Sequence, residues 1–184
     1  MPYIQPATNN IFGLMPVESI PGHGQTALYP VSSSEATAIL PGDAVVRTSI
    51  GTLRAAVSAD SLHLIGAAAA PLSTADFAQG TLNLLVYDDP LQYFVCTAAS
   101  SAVITQLHIG QNIALVTTAT GTGIPSTLVG RSKMALSPTA TTSAGILRLI
   151  GIHPIDVWTS SDATSKKYIV KAAPATDFVS NLTT

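Results

Sequence analysis

From about Ala36 onward, short runs rich in apolar and β-branched residues are separated by clusters of Gly, Pro, Asp and Ser. A period of two sends successive side chains to opposite faces, so runs of this length between turn residues read as strands. Residues 37–40 precede a Pro41-Gly42-Asp43 turn, and residues 44–48 and 52–57 flank Ser49-Ile50-Gly51 as a hairpin. Residues 61–66 form a further apolar run, and 67–71 read as a compact linker of small residues. The clearest hairpin is expected between 82–87 and 92–97 across Asp88-Asp89-Pro90-Leu91, where proline presets φ and the aspartates satisfy turn amides. Residues 113–118, 133–136, 145–152 and 166–172 bring the set to about nine strands. Only 73–78 and 101–107 place a serine cap before helix-compatible residues, and neither sustains an i, i+3, i+4, i+7 stripe. The pattern predicts an all-β fold: a single β-barrel or β-sandwich domain over residues 36–184 with an extended N-terminal arm.

That arm is assigned to residues 1–35. Five of the twelve prolines (Pro2, Pro6, Pro16, Pro21 and Pro30) lie in it beside Gly13, Gly22 and Gly24, a density that breaks helices and removes ladder donors. The first basic residue of the chain is Arg47, so the arm has no cation with which to neutralise phosphate. Its apolar side chains Ile4, Ile11, Phe12, Leu14, Met15, Ile20, Leu28 and Tyr29 mark it as a segment that docks on protein; the other reading is a disordered tail. Residues 117–144, rich in Ala, Ser and Thr, read as a long loop holding one strand.

Composition sharpens the picture because charge is scarce. Of the 184 residues 10% are charged and 47% hydrophobic, against about 25% charged in ordinary soluble domains, so part of the surface is expected to meet something other than water. A bilayer is a poor fit: the apolar stretch 62–72 contains His63, Gly66 and Pro71 and is shorter than the ~20 residues a spanning helix needs. The first residues lack the basic and apolar regions of a secretory signal. A lone cysteine, Cys96, excludes an internal disulfide framework and suits assembly in a reducing cytoplasm. The apolar surplus is left to protein contacts.

Motifs for chemistry are missing. The chain has no G-x-S-x-G elbow, no Gly-Lys-Ser/Thr phosphate loop and no third glycine after Gly22-His23-Gly24 or Gly121-Thr122-Gly123. His23, His63, His108 and His153 stand apart, without the clustered spacing that lets three or four ligands reach one ion. Asp88 and Asp89 offer oxygens to a hard cation, but turn formation already accounts for them. Cys96, on an expected strand with Phe94 and Val95, reads as a buried, inert thiol. Eight basic against ten acidic residues give a net charge of −2, and the one basic cluster, Lys166, Lys167 and Lys171, reads as a solvated or edge-protecting strand face. Trp158 is a single large aromatic, read as a core or interface anchor. No catalytic residue, cofactor, metal, nucleic-acid partner or membrane partner is assigned.

The order of several short pieces resembles the decoration, or cement, proteins on the outside of tailed-bacteriophage heads. The pieces are Pro41-Gly42-Asp43-Ala44-Val45, then Ile65-Gly66-Ala67-Ala68, Val86-Tyr87-Asp88-Asp89-Pro90 with Phe94, Ile109-Gly110-Gln111-Asn112, and Leu147-Arg148-Leu149-Ile150-Gly151-Ile152. The resemblance covers most of the chain after Ala36 and implies a non-enzymatic virion protein on the capsid exterior, assembled in the host cytoplasm. Its implied partners are the major capsid protein and the chain itself, as a homotrimer. Three other readings stand beside it: a carbohydrate- or receptor-binding β-module using Trp158, Tyr87 and Tyr93; a divergent β-barrel hydrolase; and a shell or tail subunit.

Overall fold

The computed structural model describes residues 13–17, 25–32, 37–57, 60, 64–77, 82–99, 104–117, 132–137, 145–153 and 166–173. The described residues are nearly all β, with twelve strands among them: β1 (Met15–Pro16), β2 (Thr26–Val31), β3 (Ala44–Arg47), β4 (Leu53–Ala55), β5 (Leu64–Ala68), β6 (Leu82–Tyr87), β7 (Phe94–Thr97), β8 (Asn112–Ile113), β9 (Leu115–Val116), β10 (Ala135–Leu136), β11 (Leu147–Ile152) and β12 (Lys167–Ala172). One helical turn, Thr74–Phe77, and one 3-10 turn, Gln106–His108, accompany them. Strands β2, β4, β3, β5 and β6 close into a five-stranded barrel, while β1, β7, β12, β11 and β8 form a second sheet.

Period-two alternation explains why β3 is buried on both faces. Val45 points into the barrel with Val31, Leu53, Leu84 and Val86, whereas Ala44 and Val46 point outward into a second core with Phe94, Leu147, Leu149 and Tyr168 of the other sheet. The barrel wall is thus shared between two cores. A bulge in β5 keeps its faces matched to β3: Ala44 lies opposite Ala67 and Val45 opposite Gly66, but Val46 lies opposite Leu64, so one residue of β5 is looped out. Gly66 is required there because a Cβ would fall on the carbonyl group of Tyr87. Phe77, on the helical turn, packs into the barrel core from outside the strand order.

A separate two-stranded pair, β9 with β10, continues from the second sheet. β8 pairs with β11, and after Ala114 alone the chain continues as β9, which pairs with β10. From β10 the ladder reaches β7 through the Ala98–Leu136 bridge and the bond from Ala99 N to Leu136 O (2.8 Å). These contacts tie the β9–β10 pair to the second sheet, and the core that these strands share with the outer face of the barrel is the larger of the two main cores.

Several expectations are corrected. Within the described residues, the segment 1–35 is not set apart from the domain: β2 is a barrel strand paired along its whole length with β6, and β1 is the edge strand of the second sheet. The prolines there are compatible with pairing because of where their missing N–H groups point. Val17 N donates to Tyr93 O (2.9 Å), so residues 15 and 17 face β7 and Pro16 turns its nitrogen to the open edge. Leu85 O accepts from Ala69 N and Ser32 N donates to Leu53 O, which turns the even residues of β2, Pro30 among them, away from β6.

The expected hairpin between 82–87 and 92–97 does not exist as a pair. Its turn forms, with Gln92 N bonded to Asp89 O (2.9 Å) and Leu91 N to Asp89 Oδ1 (2.8 Å), but β6 pairs with β2 and β5 while β7 pairs with β1 and β12. Turn chemistry is local, whereas partners are selected by which core buries each face, and here the turn carries the chain from one sheet to the other. The linker expected at 67–71 is partly strand, since Ala67 and Ala68 end β5 fully buried. The strand expected at 37–40 shrinks to one bridge between Ile39 and Leu72. Lys166 and Lys167 are buried and do not form a solvated basic face.

Candidate interaction surface

The residues expected to make an interface separate into distinct environments. Leu14 is only 1% exposed and sits in the chain's own larger core, held by bonds from Gly13 N to Met134 O (2.8 Å) and Leu14 N to Gly42 O (2.7 Å). It is therefore an internal anchor and not a docking residue. Met15 is half-buried, opposite Val95. Leu28 is 66% exposed on the outside of β2, beside half-buried Leu85 of β6. Tyr29 is half-buried against the barrel core and donates its hydroxyl to Asp88 Oδ2 (2.6 Å). That hydrogen bond, then burial and the charge of Asp88, raise the phenol above its ordinary value, with Arg47 opposing. Ile4, Ile11, Phe12, Ile20 and Trp158 lie outside the described residues.

Further exposed apolar side chains were not singled out in the sequence: Ile50 (77%), Val57, Leu91 (64%), Leu107 (86%) and Ile109. A signal for two of them was present. Ile50 and Leu91 are the apolar members of turn tetrapeptides, and a residue at the tip of a tight turn has no neighbouring strand to cover it. Such side chains project from a rigid frame, because the hairpin carrying Ile50 is closed by Thr48 N to Thr52 O (2.8 Å) and by the Thr48 and Thr52 hydroxyls at 2.9 Å.

Two groups capable of chemistry, Cys96 and Asp43, point inward instead. Cys96 is fully buried on β7, and burial pushes its thiol up to about 12, against weaker opposition from hydrogen bonds to Leu136 and Thr97. A thiol in that state is neither nucleophile nor metal ligand at neutral pH. Asp43 and Ser132 form the polar heart of a junction where the 13–14, 40–43 and 132–134 segments cross. Asp43 Oδ2 accepts from Leu40 N (2.8 Å), Ser132 Oγ accepts from Met134 N (3.1 Å), and Ser132 N donates to Pro41 O (3.3 Å). Burial raises the Asp43 carboxyl above its ordinary value, and the bonds from Ser132 and Leu40 counter it in part. The geometry is that of a structural clasp, with every donor and acceptor turned to the chain's own segments.

The remaining candidates are likewise engaged locally. Asp89 caps its turn and Asp88 holds Tyr29, so the pair is occupied by protein donors. Asp60 forms a forked pair with Arg54, Nη2 to Oδ1 at 2.5 Å and Nη1 to Oδ2 at 2.9 Å, and also accepts from Val57 N. His108 Nδ1 accepts from Thr105 N (2.9 Å) at the 3-10 turn. Tyr87, one of the aromatics suggesting a glycan site, packs against the larger core. Among the described residues no group of three or more His, Cys, Asp or Glu side chains is placed to hold a metal, and no helix is long and apolar enough to cross a membrane. No protein-family model matches the chain, and a search of the curated proteins finds no match.

Proposed function

We propose that this protein is a structural, non-enzymatic coat subunit that binds the outside of a phage capsid, bridges major capsid subunits and associates with copies of itself. The observation that carries the reading is the division between inside and surface. Titratable groups such as Asp43 and Cys96 are buried in structural roles, while Leu28, Ile50, Leu91 and Leu107 project 64–86% exposed from a chain with only 10% charged residues. Exposed apolar knobs on a rigid β-frame suit contact with another protein, where the removal of apolar area supplies about 25 cal/mol per Å². Repetition over a symmetric shell multiplies weak single contacts through effective concentration.

The test is co-sedimentation of the purified chain with phage heads stripped of external proteins. Saturable binding and a higher temperature of genome release are expected. Heads that sediment without the chain at any concentration, or turnover of a substrate from an ester, phosphate and glycoside panel, would count decisively against the proposal.

A further inference from the structure

Among the described residues, strand β2 is paired on one side only over most of its length. Its odd residues face β6, so the N–H and C=O groups of Thr26 and Leu28 point to the other side. There the barrel is closed to β4 by a single pair, Val31 with Leu53, followed by the bond from Ser32 N to Leu53 O (3.2 Å). The pairing is parallel, so moving back along β2 from Val31 means moving back from Leu53 into the tight turn at Ser49, Ile50 and Gly51, where the chain reverses toward β3. β2 consequently overhangs its neighbour, and among the described residues no bond reaches the outward backbone groups of Thr26 or Leu28.

An open edge of this kind is a template for another strand. Natural edges are commonly guarded by lysine or another charge on the edge strand, yet residues 25–32 carry none; the charges beside it are of both signs, Arg47 by the Gly51 turn and Asp88 bonded to Tyr29. Pro30 limits the available run, because the next outward residue has no donor. Leu28 stands over the edge at 66% exposure, next to Leu85 on the outer face.

We infer that the overhanging edge of β2 pairs antiparallel with the same edge of a second copy about a twofold axis at Ala27. Thr26 N then donates to Leu28 O of the second copy and Leu28 N to its Thr26 O, and the symmetric repeats of these bonds complete four. The register follows from the position of Pro30, and the Leu28 and Leu85 side chains of both copies form one continuous apolar face across the joint. The pairing stands on backbone geometry and not on the coat reading: a one-chain mass would sink it while leaving shell binding to co-sedimentation, and failure to bind heads would leave the pairing intact.

The experiment compares the intact chain with Leu28→Lys by sedimentation equilibrium and by amide exchange. The wild type is expected to double its mass with rising concentration, and the Thr26 and Leu28 amides are expected to gain protection in parallel. Leu28→Lys sets two ammonium groups beside the axis and is expected to weaken association at least tenfold while preserving the circular dichroism spectrum. Leu107→Lys, at a more exposed apolar position outside the barrel, is expected to leave the mass unchanged. A one-chain mass throughout, a three-chain mass insensitive to Leu28→Lys, or association abolished equally by both variants would each overturn the inference.

Discussion

Replacing Leu14 with alanine separates two accounts of the N-terminal segment. If residues 13–17 are part of the fold, the side chain leaves a cavity in the core it shares with Phe94, Leu136 and Tyr168; if they belong to an arm that docks elsewhere, the isolated chain is indifferent. Leu14 is 1% exposed, so nearly the whole side chain is at stake. Removing three carbons costs about 2.4 kcal/mol of transfer free energy at ~0.8 kcal/mol each, and a residual cavity brings the expected loss into the range of about 2–5 kcal/mol. Because β1 is a two-residue edge strand, the segment can also detach instead of spanning a void, which places the expectation near the lower end, about 2–3 kcal/mol. For a chain of this length that is a fall in melting temperature of about 4–12 °C. Urea denaturation of the isolated chain gives the stability change, and amide exchange at Leu14, Val17 and Gly13 shows whether the segment has come loose. A midpoint within experimental error of wild type would refute the placement of Leu14 in the core.

Three further outcomes are expected. Gly66→Ala sets a methyl group against the Tyr87 carbonyl in the barrel wall, so the variant should lose at least 1–3 kcal/mol in urea or fail to accumulate as soluble protein; wild-type stability would contradict the close approach. Asp43 has its folded pKa raised above the ordinary 3.8, so the stability it contributes is complete below that value and is lost as pH rises through the folded pKa. Asp43→Asn should remove this component, making the wild-type minus variant difference fall as pH climbs from about 3.8, whereas parallel curves would exclude the burial of the carboxyl. Cys96, with its thiol pushed up to about 12, exposes roughly one thiolate in ten thousand at pH 8. It should resist a thiol reagent until denaturant is added, and stoichiometric labelling of the native chain would show that β7 is open.

The sequence alone was sufficient for the class of fold and for much of its local punctuation. Leu82–Tyr87 appears at the expected bounds, and the 44–48 and 52–57 runs appear as the paired strands β3 and β4, because β-branched spacing and Gly, Pro and Asp turns act over a few residues. The inert character of Cys96 was equally legible from its apolar strand neighbours. Pairing was not legible, since partner choice depends on which faces are buried across long separations. Asp89-Pro90 made its turn yet delivered β6 and β7 to different sheets, and proline density at the N-terminus concealed two strands whose missing donors point to open edges. Tertiary structure likewise decided that Leu14 is core while Leu28, an equally apolar residue of the same segment, faces outward: one is covered by a second sheet that the chain supplies later, and the other lies where the β3–β4 turn ends before it can provide a neighbour.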